Sequence, residues 1–217
     1  MNMQNHTQLL DWHSPANMQA LIQALGKHQV VITTTDTVPG LLGAATQESF
    51  DRLREVKQDR GEKPFLLLAA DYTRALALIP KEAQSPKLIS LMKQCWPGPV
   101  TLVVPTSTIL PGYMRSPHHT VAVRVPDHTG LQELLTHIPY LFSTSANSSG
   151  KPTPSTLEQI EPKIAQKVPF IVSEQLTTTG LPSTIIDCTT IDCPRIIREG
   201  AYPITQLEVY YGGSFTR

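Results

Sequence analysis

The chain has 217 residues, 40% of them hydrophobic and 17% charged, enough for one domain with a sizeable buried core. Eighteen Lys and Arg balance eighteen Asp and Glu, so the formal net charge is zero. That balance excludes a whole-molecule electrostatic footprint for nucleic acid or an anionic membrane, but not a local basic pocket.

The opening MNMQNHTQLLDWHS has neither a basic start nor an apolar run, so no signal peptide is expected. No apolar run approaches the roughly 18 residues of a membrane span. Ser14-Pro15 opens the first predicted helix, with Ser as N-cap and Pro at the first helical position. Met18, Leu21, Ile22 and Leu25 follow at helical spacing. The β-branched run Val30 to Thr35 is a predicted strand, and alternation puts Thr33 and Thr35 on one face. It runs into Asp36-Thr-Val-Pro-Gly-Leu-Leu-Gly43. Two glycines and a proline behind a strand predict a tight loop. That loop is either a plain strand-to-helix turn or a place where backbone approaches a ligand. Neither a Walker loop nor a G-x-G-x-x-G is present.

Thr46 caps a predicted helix through Lys57, striped by Phe50, Leu53 and Val56. Its end, KQDRGEKP, carries Lys57, Arg60 and Lys63 around Gly61, with Asp59 and Glu62 offsetting two of the charges. Such a run is a solvated helix end or a mobile basic loop that closes on polyphosphate. Phe65 to Leu68 is a predicted buried strand, followed by helices over 72–79 and 86–95. Trp96-Pro-Gly-Pro is a stiff corner that sets the strand Val100 to Val104 and plugs the core with Trp96. His118 and His119 are adjacent and cannot face one site from a helix or strand, which argues against a metal pair.

Thr120 to Pro126 is the cleanest strand, with Val121, Val123 and Val125 on one face and Thr120, Ala122 and Arg124 on the other. An Arg in that setting needs an anion, either a structural partner or a bound carboxylate or phosphate. Leu131, Leu134, Leu135 and Ile138 mark a helix, and Pro139 to Phe142 a short strand. That strand ends in STSANSSGKPTP, Ser143 to Pro154. Such a run is a Ser-rich turn or a cradle for anionic oxygens beyond a strand end. A helix interrupted near Pro162, strands over Pro169 to Val172, Ser183 to Asp187 and Pro194 to Gly200, and a helix from Pro203 to about Gly212 complete the chain. The irregular alternation predicts an α/β fold with a mixed, twisted sheet. Cys95, Cys188 and Cys193 form no C-x-x-C and have no nearby His, so reduced thiols of a cytosolic protein are expected, without a zinc set. A serine hydrolase is disfavoured, because there is no G-x-S-x-G.

Five stretches, in this order, resemble the YrdC-like family of threonylcarbamoyl-AMP synthases: TTDTVPGL (34–41), KQDRGEKPF (57–65), WPGPVTLV (96–103), TVAVRVP (120–126) and STSANSSG (143–150). STIID (183–187) and IIREGA (196–201) complete the set, and the likeness spans about residues 15 to 205 as a short, single-domain form. The resemblance implies an open, twisted, mixed parallel/antiparallel sheet with flanking helices around a large cavity. It also implies a cytoplasmic nucleotidyltransferase that joins L-threonine, bicarbonate or CO2, and ATP into threonylcarbamoyl-AMP and pyrophosphate. Mg2+ would come with the ATP, without protein side chains as metal ligands and without a prosthetic group. Partner proteins would pass the threonylcarbamoyl group to an adenosine of tRNA. Direct tRNA binding would appear as an affinity that falls steeply with salt.

Carried over by position, Thr35, Arg124, Ser143 and Ser183 hold threonine, with Arg124 on its carboxylate. Lys57, Arg60, Lys63, Thr120, Ser145, Asn147, Thr153 and Arg198 hold ATP. Lys57, Arg60 and Arg124 stabilise charge, and no covalent nucleophile is needed. Thr34 and Pro39 stand where the family usually has Pro and Tyr. Lys57-Gln-Asp-Arg60 departs from the usual Lys-x-Arg, with Asp59 in the Arg position and Arg60 one step late. The alternative of another class is a catalytically weak nucleotide- or RNA-binding paralogue.

Overall fold

A computed structural model describes residues 7–58, 61, 64–174, 180–190 and 192–217. Ten strands lie in one sheet. They are β1 (Gln8–Asp11), β2 (Val31–Thr33), β3 (Gly40–Ala44), β4 (Leu66–Ala69), β5 (Val100–Pro105), β6 (Thr120–Arg124), β7 (Tyr140–Ser145), β8 (Phe170–Ser173), β9 (Thr184–Asp187) and β10 (Arg195–Arg198). Their order is β1-β8-β2-β3-β7-β4-β6-β5-β9-β10. Four neighbouring pairs run parallel: β1/β8, β2/β8, β4/β6 and β5/β9. The other pairs are antiparallel, so the sheet is mixed, as the sequence predicts.

The helices are α1 (Pro15–Gly26), α2 (Gln47–Lys57), α3 (Tyr72–Leu76), α4 (Pro86–Cys95), α5 (Thr129–His137), α6 (Pro162–Ala165) and α7 (Ile204–Tyr211). None is long and apolar enough to cross a membrane. The Thr46 hydroxyl caps α2 by accepting from the Ser49 amide. Gly212, at φ 71°, ends α7 in the left-handed conformation that glycine adopts at least cost. Trp96 is buried and its Nε1 donates to the Val100 carbonyl at 2.6 Å, so the Pro-Gly-Pro corner serves the core as expected.

Helices cover both faces of the sheet's centre, and adjacent strand residues therefore enter different cores. Ile32, Leu41, Leu67 and Phe142 join one core with Leu53 and Val56 of α2 and Leu88, Leu91 and Met92 of α4. Val31, Leu42, Leu68 and Leu141 join the other with Met18, Leu21 and Leu25 of α1 and Leu131, Leu134 and Leu135 of α5. Strands buried on both sides read as continuous apolar runs.

One strand stands where a loop is expected, and a second where the sequence predicts no element. The segment 36–43 does turn, but Gly40–Ala44 is a fully buried strand between β2 and β7. At Gly43 an added Cβ would stand 3.2 Å from Leu53 Cδ1 and from Ser49 Cβ, so α2 packs directly on this strand. β1 is a short edge strand parallel to β8. Strand β7 also runs further than predicted and takes in the first three residues of the Ser-rich run. The helix expected around 157–164 is a short 3-10 turn, Leu157–Gln159, followed by α6.

Candidate functional site

The second core roofs only part of its sheet face. Leu66, Thr101, Val103, Ala122 and Ile185 alternate with Leu67, Leu102, Val123 and Ile186, which belong to the first core. Those five line a cavity of about 890 Å3 on the opposite face. Its polar wall gathers Thr35, Lys57, Arg124, Ser143, Ser145, Asn147, Thr153, Ser183 and Arg198. All nine are residues the sequence singles out. Among the described residues no carboxylate lines the cavity.

The β2–β3 turn supplies the first group. Thr35 Oγ1 donates to the Val38 carbonyl at 2.8 Å and accepts from the Thr37 amide at 3.1 Å. Thr37 Oγ1 in turn accepts from Arg124 Nη1 at 3.1 Å. Arg124 Nη2 donates to Asp36 Oδ1 at 3.0 Å, and the other oxygen of Asp36 accepts from the Asp127 amide at 3.1 Å. Of the two partners open at the sequence level, the structural carboxylate is present. Arg124 nevertheless lines the cavity. Burial pushes its pKa down, and Asp36 works against that fall.

The second group joins the end of α2 to the Ser-rich loop. Lys57 is 3% exposed. Its Nζ donates to the Ser145 carbonyl at 2.8 Å, to Asn147 Oδ1 at 2.7 Å and to Ser145 Oγ at 3.4 Å. Its carbonyl accepts from the Ser149 amide at 3.2 Å. Asn147 Nδ2 donates to the carbonyls of Lys151 (2.5 Å) and Pro152 (3.2 Å). From outside, Glu161 Oε1 accepts from the Ser148 amide at 3.0 Å. The run is thus a folded cradle around an ammonium group, and more than a plain turn.

The third group lies at the β9–β10 end. Ser183 Oγ is 2.8 Å from Thr101 Oγ1. Arg198 Nη2 donates to the Ser183 carbonyl at 2.8 Å and to its hydroxyl at 3.2 Å, while Nε reaches the same carbonyl at 3.0 Å. The β9–β10 register shifts between Ile196 and Arg198. That bulge lets two consecutive residues, Ile197 and Arg198, both line the cavity, which regular alternation forbids. Burial and the charge of Arg124 both lower the pKa of Arg198. Two guanidinium groups sharing one cavity with no lining carboxylate make a site for anions.

Thr120 is not brought in. It lies one pleat repeat beyond Ala122, outside the lining, with its hydroxyl 2.7 Å from Ser116 Oγ. Arg60 and Lys63 lie outside the described residues. Sequence reasoning missed Asp36 and Thr37 as partners of Arg124, and the aliphatic wall of Val103, Ile185 and Ile197. The flanking Thr35 and the Thr-Asp-Thr spacing were the available signal for the first two. The aliphatic residues had none, since they look like any strand core. Among the described residues no three His, Cys, Asp or Glu side chains converge to hold a metal.

The Sua5/YciO/YrdC family model, described as telomere recombination, matches residues 23–200. A threonylcarbamoyl-AMP synthase of Vibrio vulnificus is 31% identical over 187 residues, covering 85% of this chain and 99% of that one. A protein of the same name from Pyrococcus abyssi is 33% identical over 190 residues, covering 85% of this chain but 54% of that longer one. The structure of P. abyssi Sua5 complexed with L-threonine superposes with a TM-score of 0.87 at 26% identity, over 97% of this chain and 63% of that chain. This chain therefore spans less than two thirds of Sua5. E. coli YciO superposes at a TM-score of 0.80 and 22% identity, over 93% of this chain and its own full length, a likeness of fold.

Proposed function

Because the chain belongs to the Sua5/YciO/YrdC family, we propose that it is an L-threonylcarbamoyladenylate synthase. The observation that carries this reading is the cavity itself. It gathers two guanidinium groups, a lysine, serine and threonine hydroxyls and an amide against an aliphatic wall, with no lining carboxylate among the described residues.

The amine of threonine adds to the carbon of CO2 and loses a proton, forming a carbamate. A carbamate oxygen then attacks the α-phosphorus of ATP in line. The bond from that phosphorus to the bridging oxygen breaks, and pyrophosphate leaves. No enzyme nucleophile takes part, so catalysis consists of positioning and charge stabilisation. In this reading Arg124, Thr35, Ser143 and Ser183 hold threonine, with Arg124 on its carboxylate. Lys57, Ser145, Asn147, Thr153 and Arg198 hold the triphosphate. Arg60 and Lys63 complete that set, while Thr120 lies outside the lining.

Mg2+ enters as part of the ATP substrate, since the cavity lining offers cations and neutral oxygens and, among the described residues, no carboxylate. The product is a mixed anhydride that needs an acceptor. Transfer proteins acting on tRNA adenosine in the cytoplasm therefore belong to the same reading.

The test is to incubate the chain with ATP, Mg2+, L-threonine and isotopically labelled bicarbonate, and to weigh the nucleotide products. An adenylate of threonylcarbamoyl mass that carries the label supports the reading. ATP that binds and stays intact would overturn it in favour of a binding paralogue, for which the displaced Arg60 is the motivating feature.

A further inference from the structure

Arg124 and Arg198 face the same cavity but differ in one respect. Arg124 has a carboxylate against it, Asp36 Oδ1 at 3.0 Å, and the side chains are 3% and 7% exposed. Arg198 has neutral acceptors only among the described residues, the carbonyl and hydroxyl of Ser183. Among the described residues one cation is therefore compensated and the other is not.

Asp36 does not line the cavity. Both of its oxygens are engaged, one by Arg124 and one by the Asp127 amide at 3.1 Å. It can reach a ligand only through Arg124. The guanidinium gives one N–H to Asp36 and one to Thr37, and its buried Nε has no partner among the described residues. A guanidinium has five N–H donors, so donors remain for a ligand although the charge is already met. A carboxylate can use those donors. The Asp36 charge opposes any anion there, a multiply charged polyphosphate far more than the single carboxylate of a net-neutral amino acid.

We propose that Asp36 is a positioning and specificity-determining residue: it holds Arg124 in place and cancels its charge, so that the centre of the cavity takes a zwitterionic amino acid and turns a polyphosphate away. The inference rests on the reading that Arg124 takes the threonine carboxylate. The polyphosphate is thereby directed to the ends of the cavity, where the Ser-rich loop and Arg198 stand.

The test measures equilibrium binding of L-threonine, ATP and inorganic tripolyphosphate to the whole chain and to Asp36→Asn. In the unmodified chain, tripolyphosphate should leave threonine affinity unchanged. In Asp36→Asn, threonine should bind at least about tenfold more weakly and tripolyphosphate should now compete with it, while ATP affinity moves less than about threefold. Threonine affinity within about twofold of the unmodified chain would overturn the proposal. So would loss of threonine binding without the new competition, which is what a merely structural role predicts.

Should Asp36→Asn fail to fold, Thr37→Val serves. It frees one guanidinium N–H and leaves the charge met, so threonine should weaken and tripolyphosphate still not compete. Competition in Thr37→Val would overturn the proposal. Failure of the unmodified chain to bind threonine would instead overturn the preceding reading, and the proposal with it. That outcome is read on a different protein from the variants and is distinguishable.

Discussion

Glu161 shows how one half-buried side chain can hold a site it does not touch. Ser148, whose amide donates to Oε1 at 3.0 Å, keeps its carboxyl down at about 2, with help from Lys163. Its folded pKa is thus depressed below the ordinary carboxylate value. Whatever it contributes to holding the Ser-rich loop is fully present above the unfolded pKa and is lost as pH falls through about 2. An NMR titration of the Glu161 carboxyl should show a midpoint near 2. A midpoint in the usual carboxylate range would mean that the Ser148 contact is not formed in solution. At this scale the sequence was readable where charge demanded a partner. Arg124 could not sit unpaired on a strand face, and it does not. Thr120 shares the face and alternation of Arg124, but the strand carries it past the cavity lining. Sequence alternation reports a face and says nothing of how far along it a cavity extends.

Among the elements, the two unpredicted strands have physical explanations. β3 is Gly-Leu-Leu-Gly-Ala, buried on both faces, so it shows neither polar alternation nor β-branched residues. Its glycines read as a turn, yet one of them is there because a helix lies on it. Gly43→Val should cost about 1–3 kcal/mol by overpacking against Leu53 and Ser49. Thermal melting would measure this, and an unchanged Tm would show that α2 can move off the strand. β1 is too short to carry a pattern and is specified by its parallel pairing to β8, a partner more than 150 residues away. The bulge in β10 is equally silent in the sequence, although it decides that Arg198 faces the cavity together with Ile197. The long amphipathic helices, by contrast, were readable from spacing and caps. α1, α2, α4 and α5 lie close to where those signals put them.

For the whole molecule, a net charge of zero hides a local asymmetry. The lining of the cavity carries Lys57, Arg124 and Arg198 without a carboxylate among the described residues, and Asp36 meets Arg124 from outside the lining. The mixed α/β class followed from element alternation, whereas the large cavity was implied by the family resemblance. Which sheet face is left unroofed did not follow, because that depends on where α1 and α5 pack. The most direct test of the synthase reading is pyrophosphate release from ATP by the purified chain with bicarbonate, measured with and without L-threonine and repeated with Arg124→Gln. The expected result is release that depends on threonine and falls at least about a hundredfold in the variant, because the proposed charge-assisted contact of Arg124 with the threonine carboxylate is lost. Release that ignores threonine, or that persists unchanged in Arg124→Gln, would contradict it.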